Sequence, residues 1–231
     1  FNHHRATDDT RMLAAIFAKM ADKLHRQGVT NIDEMNRAMA HNSDPKQLRS
    51  YHITILVKNL TGLRNLYKLI SYSYLDYFYR NPRIPKTVLQ AHREGLIIGS
   101  ACESGELYRA VLDGRPYGEI LKIADFYDYF EIMPRSNNSF LIDEGTVAGE
   151  ERLIEINREI LRIGDKQKKP VVATGDTHFI DPEDEIYRQI MLFGLKFRDA
   201  MRETKLYFRT TGEMLKEFAY LGDRAEEVVI D

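Results

Sequence analysis

Asp176 and His178 stand two residues apart near the end of the stretch KPVVATGDTHFIDP, residues 169–182. The apolar run Val171, Val172, Ala173 stops at Thr174-Gly175, so a strand delivers a carboxylate and an imidazole directly into a loop. In extended backbone, residues i and i+2 share a face, which lets the two side chains converge on one point. Carboxylate plus imidazole suits zinc, manganese or iron. The competing reading is a loop aspartate that caps the helix starting at Pro182, with the histidine hydrogen-bonded nearby. A thiol occupies a second strand end in Ser100-Ala101-Cys102-Glu103, where Cys102 is either a small buried residue or a ligand with Glu103 beside it. His52 is the awkward candidate, because it lies at the beginning of its apparent strand. It either serves packing or belongs to a strand that begins earlier.

These side chains need elements to position them. Four apolar, β-branched stretches read as strands: Tyr51 to Val57, Leu96 to Ser100, Tyr127 to Met133 and Val171 to Thr174. The first is apolar on nearly both faces, as for a strand covered on both sides. Helical spacing fills the gaps, over Leu60 to Tyr79, Ser104 to Leu112 and about Ala148 to Lys168, and again after Pro182. Tyr67, Tyr72, Tyr74, Tyr77 and Tyr79 cluster on the first of these, where core packing is expected. A β-α order repeated four times predicts an α/β fold of parallel strands with crossover helices, in a doubly wound sheet or part of a (β/α) barrel. Such folds place their sites at the carboxyl ends of strands. At the other end of the chain, His4 to Asp9 leads into a helix with apolar Leu13, Ile16, Phe17, Met20 and Leu24 and a stop at Gly28. By spacing alone, Asp8 and Asp9 simply suit the positive end of its dipole. A short helix from Asn31 and a late one from Thr210 both carry capping-box spacing, with Glu34 and Glu213.

With 231 residues the chain has room for one large or two modest domains. A net charge of -2 offers no global attraction to nucleic acid or anionic membrane, so any polyanion has to meet a local patch. The single cysteine excludes an internal disulfide and fits a reducing, cytoplasmic setting. No apolar run approaches the roughly 18 residues of a membrane span, so no membrane partner is expected. Phe1 in place of a methionine, just before a functional-looking motif, reads as a piece of something longer.

The strings YHITILVKNLTGLRNLYKLIS, PRIPKTVL, REGLIIGSACESGELYRAVLDG, YDYFEIMP, PVVATGDTHFIDPEDEIYRQI and LYFRTTGEMLKEFAYLG cover most of the chain. Together they resemble the PHP (polymerase and histidinol phosphatase) domain of PolC-type DNA polymerase III alpha subunits, the replicases of low-GC Gram-positive bacteria. In that family a DEDDh-type 3'-5' proofreading exonuclease is inserted within the PHP domain and ends in His-x-Ala-x-x-Asp, matched here by His4, Ala6 and Asp9. The resemblance implies that residues 1–43 close the exonuclease, 44–204 form the second half of a PHP-type (β/α) barrel, and 205–231 start a linker towards the polymerase region. His4 would be the exonuclease general base and Asp9 a ligand of its magnesium or manganese ions. His52, Cys102, Asp176 and His178, with Glu103 as a possible addition, would serve the PHP site, which takes zinc, manganese or iron. The implied parent is a replicative DNA-directed DNA polymerase acting on primer-template DNA and deoxynucleotides beside replisome subunits such as the sliding clamp. The remaining ligands of both sites would lie upstream, so the chain alone is expected to have little exonuclease activity. Two other readings stand beside this one: a structural metal-binding module bracing the polymerase, and a stand-alone PHP-type metallophosphoesterase.

Overall fold

The computed structural model describes residues 6–35, 48–197 and 200–230. His4 and the boundary expected at residues 43 and 44 lie outside the described residues. Helix α1 (Ala6–Arg26) has Asp8 and Asp9 in its first turn and Lys23, His25 and Arg26 in its last. Each charge opposes the nearer end of the helix dipole. The chain leaves α1 through Gly28 at φ +79°. Asn31 then accepts from the Glu34 amide at 2.9 Å, starting the short turn of helix at residues 32–35.

Among the described residues, four strands form where the apolar runs predict them, each shorter than its run: β1 (Thr54–Val57), β2 (Leu96–Gly99), β3 (Phe130–Ile132) and β4 (Val171–Ala173). Between β1 and β2 come α2 (Leu60–Leu75) and α3 (Lys86–Ala91); between β2 and β3 come α4 (Glu106–Leu112) and α5 (Tyr117–Ala124). A 3-10 turn (Arg135–Asn138), α6 (Phe140–Asp143) and α7 (Glu150–Gln167) lead to β4. After it come a 3-10 turn at Pro182–Asp184, α8 (Glu185–Gly194), α9 (Thr211–Glu217) and α10 (Arg224–Val229). At Thr210 the reciprocal cap with Glu213 forms as its spacing requires.

The strand directions correct the expectation of an all-parallel sheet. β3 and β4 are parallel, but β1 and β2 are antiparallel, with Thr54 opposite Gly99 and Val57 opposite Leu96. A parallel bridge between Gly99 and Tyr129 links the two ladders. The described strands do not close into a barrel. The reversal arises in residues 76–95, which carry the chain back to the amino end of α2. There the Lys58 amide donates to the Gly95 carbonyl at 2.9 Å, and a Cβ on Gly62 would lie 1.8 Å from that same oxygen. Gly95 itself sits at φ +74°, where a side chain is disfavoured. The two backbones touch because neither residue has a side chain, and β2 starts from the end where β1 finishes.

The core is packed against these ladders, and β3 is buried along its whole length. α7 buries Leu153, Ile156, Ile160 and Ile163, spaced three or four apart, against β3, β4 and α4. Each such side chain contributes roughly 1.5–3 kcal/mol when removed from water. β1 departs from the two-sided burial expected of it, since Leu56 and Val57 are exposed. The tyrosines of α2 depart likewise: Tyr67 and Tyr74 face solvent, while Tyr72 packs edge-on against His92 at 5.3 Å. Among the described residues no helix is long and apolar enough to cross a membrane.

Candidate metal centre

The carboxyl ends of β2, β3 and β4 lie at one edge, since β2 meets β3 in parallel and β3 pairs β4 in parallel. Antiparallel pairing brings the amino end of β1 to that same edge. This resolves the position of His52, which precedes its strand yet reaches the site. Its amide donates to the Ser104 carbonyl at 3.1 Å, and its Nδ1 lies 3.2 Å from Cys102 Sγ.

Cys102, Glu103 and Asp176 each offer a ligand atom, and these atoms all lie within 4.8 Å of one another. Cys102 is buried, and burial, reinforced by the negative charges of Glu103 and Asp176, pushes its thiol up to about 12. Burial also raises Asp176, with Glu103 and Glu131 adding to the rise, while His178 and His52 oppose it. A thiol and two carboxylates held this close favour protons or a cation between them. The donor set therefore fits a divalent metal with affinity for sulfur, nitrogen and oxygen.

Both loops that carry this set contain a left-handed residue other than glycine, Ala101 at φ +58° and Asp176 at φ +45°. Each costs roughly 1–2 kcal/mol, so surrounding contacts have to hold them. Glu131 on β3 does much of this. Buried at the centre of the edge, it accepts from the Ala101 amide at 3.2 Å through Oε1 and from the Thr174 hydroxyl at 3.1 Å through Oε2. Its own amide donates to Ser100 Oγ at 2.9 Å. One carboxylate thus ties the Cys102 loop to the Asp176 loop. Its position on an apolar strand was the available signal, because a glutamate inside such a run needs buried partners.

His178 is exposed, and its Nδ1 lies 2.8 Å from the Asp176 carbonyl oxygen. A carbonyl only accepts, so Nδ1 carries a proton and Nε2 is the ring nitrogen left for a metal. The alternative role for Asp176, capping the turn after Pro182, is not what forms. That N-cap is Asp181, whose amide donates to Asp184 Oδ2 at 3.2 Å. Asp9 lies exposed in the first turn of α1, outside this group.

Comparison with known proteins identifies the family of the chain. The family model of the PHP domain matches residues 7–141. A DNA polymerase III PolC-type of Clostridium perfringens is 52% identical over 235 residues, covering 100% of this chain and 16% of that protein. The one of Caldanaerobacter subterraneus is 52% identical over 232 residues, and that of Bacillus subtilis 41% over 232 residues. The chain spans 16–17% of the length of these relatives. It belongs to the PHP domain family, as a segment similar to part of PolC-type DNA polymerase III.

Proposed function

We propose that this chain is the metal-binding PHP module of a replicative DNA polymerase, with His52, Cys102, Asp176 and His178 as metal ligands and Glu103 as an additional one. The observation that carries the reading is the convergence of Cys102, Glu103 and Asp176 within 4.8 Å at the carboxyl edge of the strands. Zinc, manganese or iron bound there would offset the crowded negative charge and, with an open coordination position, polarise a phosphoester oxygen. The chain's own residues hold the site ready: Glu131 fixes both loops, and the Asp176 carbonyl accepts a hydrogen bond from His178 Nδ1.

The parent activity in this reading is templated addition of deoxynucleotides to a primer, beside the clamp and other replisome subunits in the cytoplasm. Residues 1–43 would close a proofreading 3'-5' exonuclease that uses magnesium or manganese, with His4 as general base and Asp9 as a metal ligand. Residues 44–204 would belong to a PHP-type barrel and 205–231 would lead towards the polymerase region. The similarity to PolC-type DNA polymerase III proteins supports the polymerase assignment. In the bracing alternative, the metal stabilises the fold by linkage.

The test is metal content. The full-length protein purified without added chelator is expected to carry zinc, manganese or iron, and Cys102→Ala and Asp176→Asn are each expected to lose most of it. Retention of the full metal content in both variants overturns the assignment. For the exonuclease, His4→Ala in the full-length protein is expected to lower nucleotide release from a primed end by about 100-fold or more, the scale of a lost general base.

A further inference from the structure

Asp176 stands in a strained conformation in a loop, and a ligand there has to be held in place by something besides the metal. Arg209, far along the chain, is buried with its side chain 1% exposed. Its Nη1 donates to Asn137 Oδ1 at 3.1 Å, and its Nη2 to Ser136 Oγ at 2.9 Å and to the Lys205 carbonyl at 2.8 Å. Nε lies 3.8 Å from Glu217, which itself accepts from Ser136 Oγ at 3.1 Å. Asn137, also buried, uses its amide nitrogen to donate to the Gly175 carbonyl at 2.7 Å, one residue before Asp176. The segment next to Arg209 also grips the same loop through its backbone: the His178 amide donates to the Leu206 carbonyl at 2.8 Å, and the Phe208 amide to that of Phe179 at 2.9 Å.

We infer that Arg209 and Asn137 form a positioning relay that fixes the Asp176–His178 turn in its ligating conformation. The relay rests on the metal-site reading for its purpose, though its grip on the loop does not need a metal. A guanidinium suits the task because its planar fork reaches three acceptors at once, and a lysine ammonium at the same place has no such fork. The residues that carry the metal donors and the residues that hold them thus come from separate parts of the chain, with the C-terminal segment locking a loop formed by β4. Neighbouring groups of this kind set ligand orientation at metal centres, and losing one typically lowers metal affinity by about 10–100-fold.

Hydrogen exchange of the metal-free full-length protein tests the relay directly, with Arg209→Gln, Arg209→Lys and Asn137→Ala beside the parent. The His178 and Phe179 amides are expected to exchange at least about tenfold faster in Arg209→Gln and Asn137→Ala, with Arg209→Lys in between, while amides within α7 keep their protection. Cobalt titration should show a matching loss of affinity of about 10–100-fold. Unchanged exchange of the loop amides in Asn137→Ala overturns the relay. Where Arg209→Gln loosens the entire fold, Asn137→Ala, which removes the contact to the loop, decides. If the parent binds no metal but the loop amides of the variants still exchange faster, the metal reading fails and the relay stands. If the parent binds metal and all three variants match its affinity, the relay fails and the metal reading stands.

Discussion

The two amphipathic helices that flank the metal loop have opposite fates. α7 lies before β4 and buries its apolar stripe completely, with Ile156 and Ile163 at 0% exposure. α8 lies after the loop, and its Ile190, Met191 and Phe193 are exposed at 61, 66 and 69%. α2 shows the same division within one helix, since Leu69 is fully buried while Leu60 and Leu75 are more than 80% exposed. An apolar stripe therefore identifies which face of a helix is suited to burial, whereas coverage depends on what the rest of the fold brings to it. The metal edge lies on the boundary between these regions: Cys102 and Glu131 belong to the covered side, and His52 and His178 reach it from the exposed one.

The largest expected effect separates the two regions directly. Phe218→Ala, at a fully buried site, should destabilise the protein by about 3–5 kcal/mol in urea unfolding. Phe193→Ala, on the exposed stripe of α8, should stay within about 0.5 kcal/mol of the parent in the same experiment. Equal losses at both positions would mean that α8 is covered in solution and would dissolve the contrast. A smaller loss, on the order of 1–3 kcal/mol, is expected for Gly62→Ala, whose new methyl would overlap the Gly95 carbonyl. Gly118→Ala, where a Cβ meets nothing within 4 Å, should be neutral or slightly stabilising, which calibrates the steric part.

A further effect concerns pH. In the folded, metal-free protein, burial first and then the charge of Glu103 raise the Cys102 thiol from 9.0 to about 12. The folded chain keeps this proton where the unfolded chain has lost it. The contribution is thus complete below pH 9.0 and disappears as pH rises towards about 12. Tyr129 and Tyr220, raised from 10.0 to about 12 mainly by burial, act in the same direction. Urea unfolding in chelator below and above pH 9.0 should show stability falling with pH, with a shallower slope in Cys102→Ala. Identical slopes would place Cys102 in a more exposed setting than its packing indicates.

Much of the site was legible along the chain because its determinants are local. Cys102 and Asp176 follow apolar runs directly, so a strand end and a loop ligand are read together. The caps at Asn31 and Thr210 are set by side chains three residues away, and they form as their spacing requires. Residues 36–47 and His4, with the boundary and general base read there, lie outside the described residues. Glu131 stood in view on its strand, but the two loops it joins are remote in sequence. Arg209 gave no local sign of acting at a loop more than thirty residues away, because its partners meet it only once α9 and the 3-10 turn after β3 have packed.

By itself, then, the sequence determined which stretches become strands, which helix faces are apolar, and which side chains could bind a metal. These follow from backbone propensity, periodicity and side-chain chemistry within a few residues. Tertiary structure alone decided the direction of β1 against β2, and with it the arrival of His52 beside Cys102. That outcome depends on two glycine backbones, Gly62 and Gly95, touching across thirty-three residues. No short-range pattern encodes such a contact, because the space each glycine leaves has meaning only when the other occupies it.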